Sequence, residues 1–546
     1  MTIEATDVAT GVKTKLIVFV PGIGRDRSDA FLELVRERAG SGTTVVARPQ
    51  RVKPWSVRRT PDLEAANLDA YLERNTHDVD EIVLIGHSLG GLIVRSAWLK
   101  GTGSERREPS AWPVKLSRIV LLGVPNGGFK FRRGVTFLKL LYALASPFFD
   151  FAIEHAKSGG YWVTNLRILW LVAFRILPDP MRPYVAEVIG VDDVLVTGDD
   201  LTDSDQLSDA VTFRIDATDH RGLVDLRTDD EVKLRWPTLE RAIFGAPEPT
   251  RRLAPLSHKR VYFIYHGIRA SAHDDWVAAM RAELATGRAK VVAPDTGYFS
   301  AFEFALPFVR NRKAHQFLEK YGDVAVTHDP DNFAFLGHSN GTYMLGRSML
   351  RVPAVRFRNI LLAGTVLNPN FDWELLRRRR QIGSYGPNKN GLREWKDGAV
   401  HNERVRIDVP VGVLSAFLGG LKPFNATVGT GGTAGFVNAD GVVSQDDGFY
   451  RGGHAGALST SEMARREEIA AFLRIGKPAD HPTEKPSDFF GWVGRVVPML
   501  SWIIIGLLVA LLGLLVVVLW TGGLEWWSLL VVGGPLLVAY VLLRTV

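Results

Sequence analysis

The stretch Ile82-Val-Leu-Ile-Gly-His-Ser-Leu-Gly-Gly91 carries an unbroken apolar segment straight into a serine flanked by glycines. An apolar helical pattern, Leu92-Ile-Val-Arg-Ser-Ala-Trp-Leu99, follows at once. A buried strand that turns sharply into a helix, with a serine at the apex, needs small residues on both flanks. Larger side chains there would collide with neighbouring strands or with the helix. With 53 Gly in 546 residues and serine at roughly 5%, about a quarter of a Gly-x-Ser-x-Gly match is expected by chance. The chain has a second one in the same setting, Phe333-Ala-Phe-Leu-Gly-His-Ser-Asn-Gly-Thr342, again ahead of an apolar helical run.

Working outward from the two serines, the surroundings repeat as well. Leu16–Val20 runs into Pro-Gly-Ile-Gly, and Val261–Tyr265 into His-Gly-Ile-Arg. Arg118–Gly128, RIVLLGVPNGG, is echoed by Arg358–Asn370, RNILLAGTVLNPN. Short continuous apolar runs separated by helical stretches predict buried parallel strands in an α/β sheet. Two Pro-rich stretches punctuate the repeat, one with Pro247, Pro249 and Pro255, the other from Gly476 to Asp488. The predicted organisation is therefore one domain over 1–244, a linker over 245–258 and a second domain over 259–475. A further linker over 476–495 leads to an apolar tail over 496–546.

Composition narrows the chemistry. A net charge of +7 over 546 residues is too dilute to imply nucleic acid as a partner. The absence of cysteine excludes disulfides, thiolate-held metals and a thiol nucleophile. No metal-ligand spacing occurs, and the glycine-rich GTGGTAGF does not read as a strand-to-helix dinucleotide fingerprint. No cofactor is expected.

These residues resemble the α/β-hydrolase superfamily, specifically its serine esterases and lipases, over roughly Lys13–Phe244 and Lys259–Ile475. The resemblance implies two tandem α/β-hydrolase domains, each with a nucleophilic serine, a later acid and a still later histidine in that order. A serine hydroxyl is a weak nucleophile until a base accepts its proton, and a carboxylate must fix that base's tautomer. The first set is Ser88, with His220 in FRIDATDHRGLVDL; His77, His87 and His155 precede the expected position. For the acid, VIGVDDVLV favours Asp193, with Asp192, Asp199 and Asp200 as rivals. The second set is Ser339, His454 in FYRGGHAGAL, and Asp408 in VRIDVPVGVL, with Asp446 and Asp447 as alternatives. Oxyanion donors are expected from the amides after the nucleophiles, Leu89 and Asn340, and from the loops at Gly22-Ile23 and Gly267-Ile268. The second segment departs from the pattern by the insertions NPNFDWELLRRRRQIGSYG and GTGGTAGFVNADG, so the first site is expected to carry most of the hydrolysis.

The substrate class follows from apolar segments. Between the acid and GVPNGG the first segment holds GVTFLKLLYALASPFFDF and YWVTNLRILWLVAFRIL. Lys139, Arg167 and Arg175 interrupt these, so they are not a span. At this location, around 130–185, the family holds its cap, where apolar helices form an acyl-binding wall or pack against the body. Pro498–Trp520 has no charged residue and is long enough for the ~30 Å hydrocarbon layer. After Thr-Gly-Gly-Leu-Glu525 comes a second apolar run, Trp526–Leu543. A transmembrane hairpin and a lipid or acyl-ester substrate are therefore expected. Arg495 and Arg544 flank the hairpin, the connector carries only Glu525, and no export signal opens the chain. The catalytic domains are thus expected on the cytoplasmic side. The run Arg377–Arg380 offers either a solvated helix face or a contact with phosphate head groups.

Overall fold

A computed structural model describes residues 14–520 except 24–26, 54–55, 57, 105–107, 130–151, 194–209, 249–254, 269–273, 286–288, 296, 298–299, 389–392, 406, 423–425, 438, 440, 446–449, 451–452, 459–462 and 482–487, together with Gly534. The first apolar run of the cap insertion, Asp199, Asp200, Asp446, Asp447 and the stretch from the connector to Leu543 (Gly534 apart) lie outside the described residues. The chain divides into two compact units. Unit 1 holds Met1–Lys139 and Phe149–Pro255; unit 2 holds Leu140–Phe148 and Leu256–Val546.

Unit 1 alternates strands and helices. Its elements are β1 (Lys15–Val20), α1 (Asp29–Ala39), β2 (Thr43–Ala47), α2 (Pro61–Asn75), β3 (Glu81–His87), α3 (Leu89–Gly101), β4 (Leu116–Leu122), α4 (Ala152–Ala156), α5 (Tyr161–Ile176), β5 (Tyr184–Gly190), β6 (Ala210–Ile215) and α6 (Asp229–Phe244). The six strands form one sheet in the order β2-β1-β3-β4-β5-β6, every pair parallel. Alternate positions Ile17, Phe19, Val83, Ile85, Val120 and Leu122 point to one face, against Phe31 and Val35 of α1 and Leu239 and Ile243 of α6. Val18 and Leu84, which point the other way, are equally buried. Helices on both faces explain why the strands read as unbroken apolar runs rather than alternating ones. A capping box of Thr228 and Glu231 starts α6, satisfying two otherwise orphaned amides.

Unit 2 repeats the plan. Its elements are β7 (Val261–Tyr265), α7 (Asp275–Leu284), β8 (Lys290–Val292), α8 (Ala301–Ala305), α9 (Pro307–Ala325), β9 (Phe333–His338), α10 (Asn340–Arg351), β10 (Asn359–Ala363), α11 (Trp373–Arg378), β11 (Gly383–Pro387), β12 (Arg393–Asp397) and β13 (Ala399–Glu403). A π-helical turn (Pro410–Ser415) follows, continued by α12 (Ala416–Gly420), then α13 (Gly431–Ala434), β14 (Val443–Gln445), α14 (Met463–Ile475) and α15 (Asp488–Trp520). Its parallel sheet runs β14-β13-β10-β9-β7-β8. Read from the other edge, this is the strand order of unit 1. The insertion after β10 forms α11 and an antiparallel hairpin, β11 with β12, which the sequence pattern did not reveal. Arg377 pairs with Glu374, and Arg380 donates to the Tyr385 hydroxyl, so two of the four arginines are engaged within this insertion.

Among the described residues, no helix is long and apolar enough to cross a membrane. Helix α15 contains the charge-free run, and its side chains at 488–491, 493–495, 508, 512, 515, 518 and 519 lie outside the described ones. Met499, Trp502, Ile503, Leu507 and Val509 of α15 are all exposed.

Candidate active sites

In each sheet the chain leaves the first strand toward one edge, then returns to lay the next strand on its other side. Ligand sites in open parallel sheets form at the carboxyl ends of strands flanking such a reversal. In unit 1 those strands are β1 and β3, paired so that Val20 lies opposite Gly86. In unit 2 they are β7 and β9, with Tyr265 opposite Gly337. The loop Pro21-Gly22-Ile23 therefore ends beside Ser88, and His266-Gly267-Ile268 beside Ser339.

Both serines occupy a backbone conformation that side chains rarely adopt, with φ 54° at Ser88 and 51° at Ser339. The turn lifts each serine out of its strand and starts a helix one residue later. Its tightness shows at the flanking glycines. A Cβ on Gly90 would lie 2.0 Å from the Val20 carbonyl oxygen, and one on Gly341 2.3 Å from that of Tyr265. On the opposite side, a Cβ on Gly22 would meet Ser88 Cβ at 2.7 Å, and one on Gly267 would meet Ser339 Cβ at 2.8 Å. Leu89 and Asn340 are the first residues of their helices, where amides have no intrahelical acceptor. Ile23 and Ile268 sit in the facing loops. Each turn thus places two backbone segments beside one hydroxyl.

The acid and histidine meet in both units. His220 Nδ1 lies 2.7 Å from Asp193 Oδ2, with the carboxylate side chain fully buried. His454 Nδ1 lies 2.8 Å from Asp408 Oδ2 and 2.9 Å from Oδ1. A buried carboxylate on Nδ1 leaves Nε2 as the nitrogen that exchanges protons. Asp193 stands just past the end of β5 and Asp408 a few residues past β13, so each acid comes from the corresponding strand of its sheet. The neighbouring Asp192 is exposed. His77 is exposed, and the insertions of unit 2 do not interrupt the His454–Asp408 contact.

Two pairs of residues support these sites in roles that the sequence did not indicate. Gly123 and Gly364, directly after β4 and β10, have φ of 55° and 50°. A Cβ on Gly123 would fall 3.1 Å from Asp193 Oδ2 and 3.2 Å from His220 Nδ1, and one on Gly364 3.0 Å from His454 Nδ1. The echo of RIVLLG by NILLAG was the available signal. The second pair is the histidine before each serine. His87 Nε2 is 2.9 Å from the His220 carbonyl oxygen, and His338 Nε2 is 3.2 Å from that of His454. Since a carbonyl only accepts, Nε2 carries the hydrogen. Burial, with the His454 and His266 rings adding to it, pushes the His338 pKa down to about 3, so its ring stays neutral and acts as a prop.

Behind the serine turns the units differ. In unit 1, Arg95 of α3 donates to Asn126 at 2.6 Å, and Asn126 donates to Glu187 of β5 at 2.7 Å, all buried. The Arg95 guanidinium also stacks on Trp170 of α5, and Trp98 packs on Trp170 and Phe174. The described half of the cap insertion is therefore a helix packed on the serine's helix. In unit 2 the corresponding positions hold Gly346 and Leu367, in mutual contact, while Thr342 and Thr365, joined at 2.8 Å, stand where unit 1 has Gly91 and Val124. Asn340 replaces Leu89, and its side-chain amide is buried with neither polar atom paired.

No protein-family model and no curated protein matches the chain. Among solved structures, the chain is 17% identical to phospholipase PlaB from Legionella pneumophila over 32% of its own length, with a TM-score of 0.24; it spans 38% of that protein. An esterase domain from Rhodothermus marinus is 14% identical over 43% of this chain and 87% of its own, TM-score 0.26. The RedJ thioesterase from Streptomyces coelicolor is 18% identical over 42% and 86%, TM-score 0.25. Likenesses of this extent carry no argument about substrate or activity. Each unit is a parallel sheet with helices on its faces.

Among the described residues, no group of His, Asp and Glu is arranged to hold a metal ion. What each site offers is a hydroxyl on a strained turn, a histidine oriented by a buried carboxylate, and a helix start and a loop on either side of the serine.

Proposed function

We propose that this chain is a serine hydrolase cleaving carboxylic esters of lipid or acyl type at two Ser-His-Asp sites, and that its C-terminal apolar segment holds it at a membrane. The observation that carries the reading is the same constellation built twice, in two units of the same strand order, from residues far apart in sequence. A glycine-rich turn without chemistry has no need of a buried Asp–His pair beside it.

The reaction follows from the groups present. Nε2 of His220 takes the Ser88 proton as Oγ attacks the ester carbonyl, and Asp193 holds the resulting imidazolium. The amides of Leu89 and Ile23 receive the oxyanion, each donor worth about 2.7–4 kcal/mol. Collapse of the tetrahedral intermediate breaks the ester C–O bond, and the alcohol leaves with the proton from His220. Water then attacks the acyl-enzyme, gives a proton to the histidine and releases the acid, restoring Ser88. Ser339, His454, Asp408, Asn340 and Ile268 take these roles in unit 2.

Support for the tether is the charge-free Pro498–Trp520 and the exposed apolar side chains of α15. Burying the exposed parts of such side chains is worth on the order of 1 kcal/mol each. Arg495 and Arg544 outside a hairpin, with only Glu525 in its connector, favour the cytoplasmic side for both units.

A serine-directed fluorophosphonate probe tests the chemistry. Labelling of both serines in the wild-type chain, lost site by site in Ser88→Ala and Ser339→Ala, is expected. Absence of labelling at both would leave a membrane-tethered binding module as the better reading. Protease added to cells with opened outer walls tests the orientation: the units should survive, and their digestion would refute it.

A further inference from the structure

The acid of the second site is also the start of a helical segment that reaches α15. Asp408 Oδ1 accepts the Val411 amide at 2.9 Å, and the Gly412 amide donates to the Asp408 carbonyl at 2.8 Å. From there Pro410–Gly420 runs with two distinct faces. Val411, Leu414 and Leu418 are buried in a cluster with Tyr343 and Val366, against which Ile268 packs. Tyr343 lies one helical turn past Ser339, and Ile268 belongs to the facing loop, so this apolar wall stands beside the nucleophile. On the other face Val413 is exposed, at 41%, as are Ile407 and Val409 just ahead of the segment, at 48% and 44%.

The far end of the segment is clamped to α15. Ser501 Oγ donates to the Phe417 carbonyl at 2.8 Å. Gly420 permits the approach, since a Cβ there would lie 2.2 Å from the Pro498 carbonyl oxygen. Ser501 is fully buried, whereas Met499, Leu500, Trp502, Ile503, Leu507 and Val509 are exposed. At about 100° per residue these six spread over roughly 180° of the helix, on the side opposite Ser501. A helix docking on a protein partner presents a narrower apolar stripe backed by polar residues. One that is apolar wherever it is not already packed suits lipid.

We infer that the Ser339 site takes acyl chains directly from a lipid bilayer, across the face formed by Pro410–Gly420 and Pro498–Val509 of α15. The inference rests on the hydrolase reading and the tether above, and assigns them a division of labour. With α15 in lipid, its clamp holds Val409 and Val413 at the bilayer surface. The apolar wall behind them leads an acyl chain to the serine.

The absence of cysteine makes a direct test available. Full-length Val413→Cys, carrying a nitrobenzoxadiazole label, is reconstituted in phosphatidylcholine vesicles with and without doxyl-labelled lipid. At least half of the emission should be quenched by the doxyl lipid, with little quenching in Lys320→Cys on the exposed side of α9. An unquenched label at 413, or energy transfer between labels of two copies in its place, would overturn the inference. Activity supplies the second arm. In a Ser88→Ala background, the ratio of vesicle-embedded long-chain ester to soluble short-chain ester turnover should fall at least tenfold in Val413→Glu and stay within about twofold in Val413→Leu. An unchanged ratio in Val413→Glu refutes lipid entry here, while no hydrolysis of either ester by the wild-type chain refutes the hydrolase reading instead.

Discussion

Replacing Gly364 by alanine perturbs the second site through a single methyl group. Gly364 has φ of 50°, where a Cβ costs about 1–2 kcal/mol. At roughly 2–4 °C per kcal/mol for a unit of this size, the transition of unit 2 should drop by about 2–8 °C. The methyl would also sit 2.9 Å from His454 Cε1 and 3.0 Å from Nδ1, roughly half an ångström inside ordinary contact. The ring has little room to yield, because its Nδ1 is tied to buried Asp408 and its carbonyl to His338. If a misplacement of 1 Å costs about a hundredfold, half of that costs about tenfold. The assay is the rate of fluorophosphonate labelling, read separately at Ser339 and Ser88 by peptide mapping. Labelling at Ser339 should slow about tenfold with Ser88 unaffected, and Gly123→Ala should give the mirror result. An unchanged Ser339 rate in a chain whose unit 2 melts within the expected range would mean that His454 is not the base.

Removing a base has a larger effect: His220→Ala should lower turnover at Ser88 by several orders of magnitude, and His454→Ala that at Ser339, measured in backgrounds lacking the other serine. A loss below tenfold in a folded variant would place the base elsewhere. His338 is held neutral with its pKa near 3, whereas an unfolded histidine titrates near 6.5. The unfolded state therefore binds the extra proton between those values, and unit 2 loses stability as pH falls below about 6.5. The loss should be about 2 kcal/mol at pH 5. Urea melts at pH 5 and 7.5 check this, and His338→Gln, which can still donate to the His454 carbonyl, should flatten the dependence. Arg95→Met should destabilise unit 1 by about 3–5 kcal/mol, because it leaves the Asn126–Glu187 side of the network buried without its cation; thermal melts of unit 1 report it.

Strand, sharp turn and helix around Ser88 and Ser339 were legible because their requirements are local. Unbroken apolar runs mark strands covered on both faces, and glycines mark a turn where a neighbouring backbone comes within contact of Cα. The order of serine, acid and histidine narrowed the remaining partners to a few residues each. The sequence favoured Asp193 with Asp192 as a rival; that only Asp193 is buried against a histidine is a matter of three dimensions, since adjacent residues past a strand end point in different directions. The roles of Gly123, Gly364, His87 and His338 were not legible because they lie in contacts with residues up to 133 positions away, which periodicity cannot register. The hairpin after β10 was hidden in an insertion that reads as polar and irregular, since cross-strand pairing leaves only a weak local trace in a short exposed ribbon. The tail's lack of charge is a property of the sequence alone. Which side of α15 rests on Pro410–Gly420, and so which serine lies behind that face, was decided by the small residues Gly420 and Ser501 and could emerge only from packing.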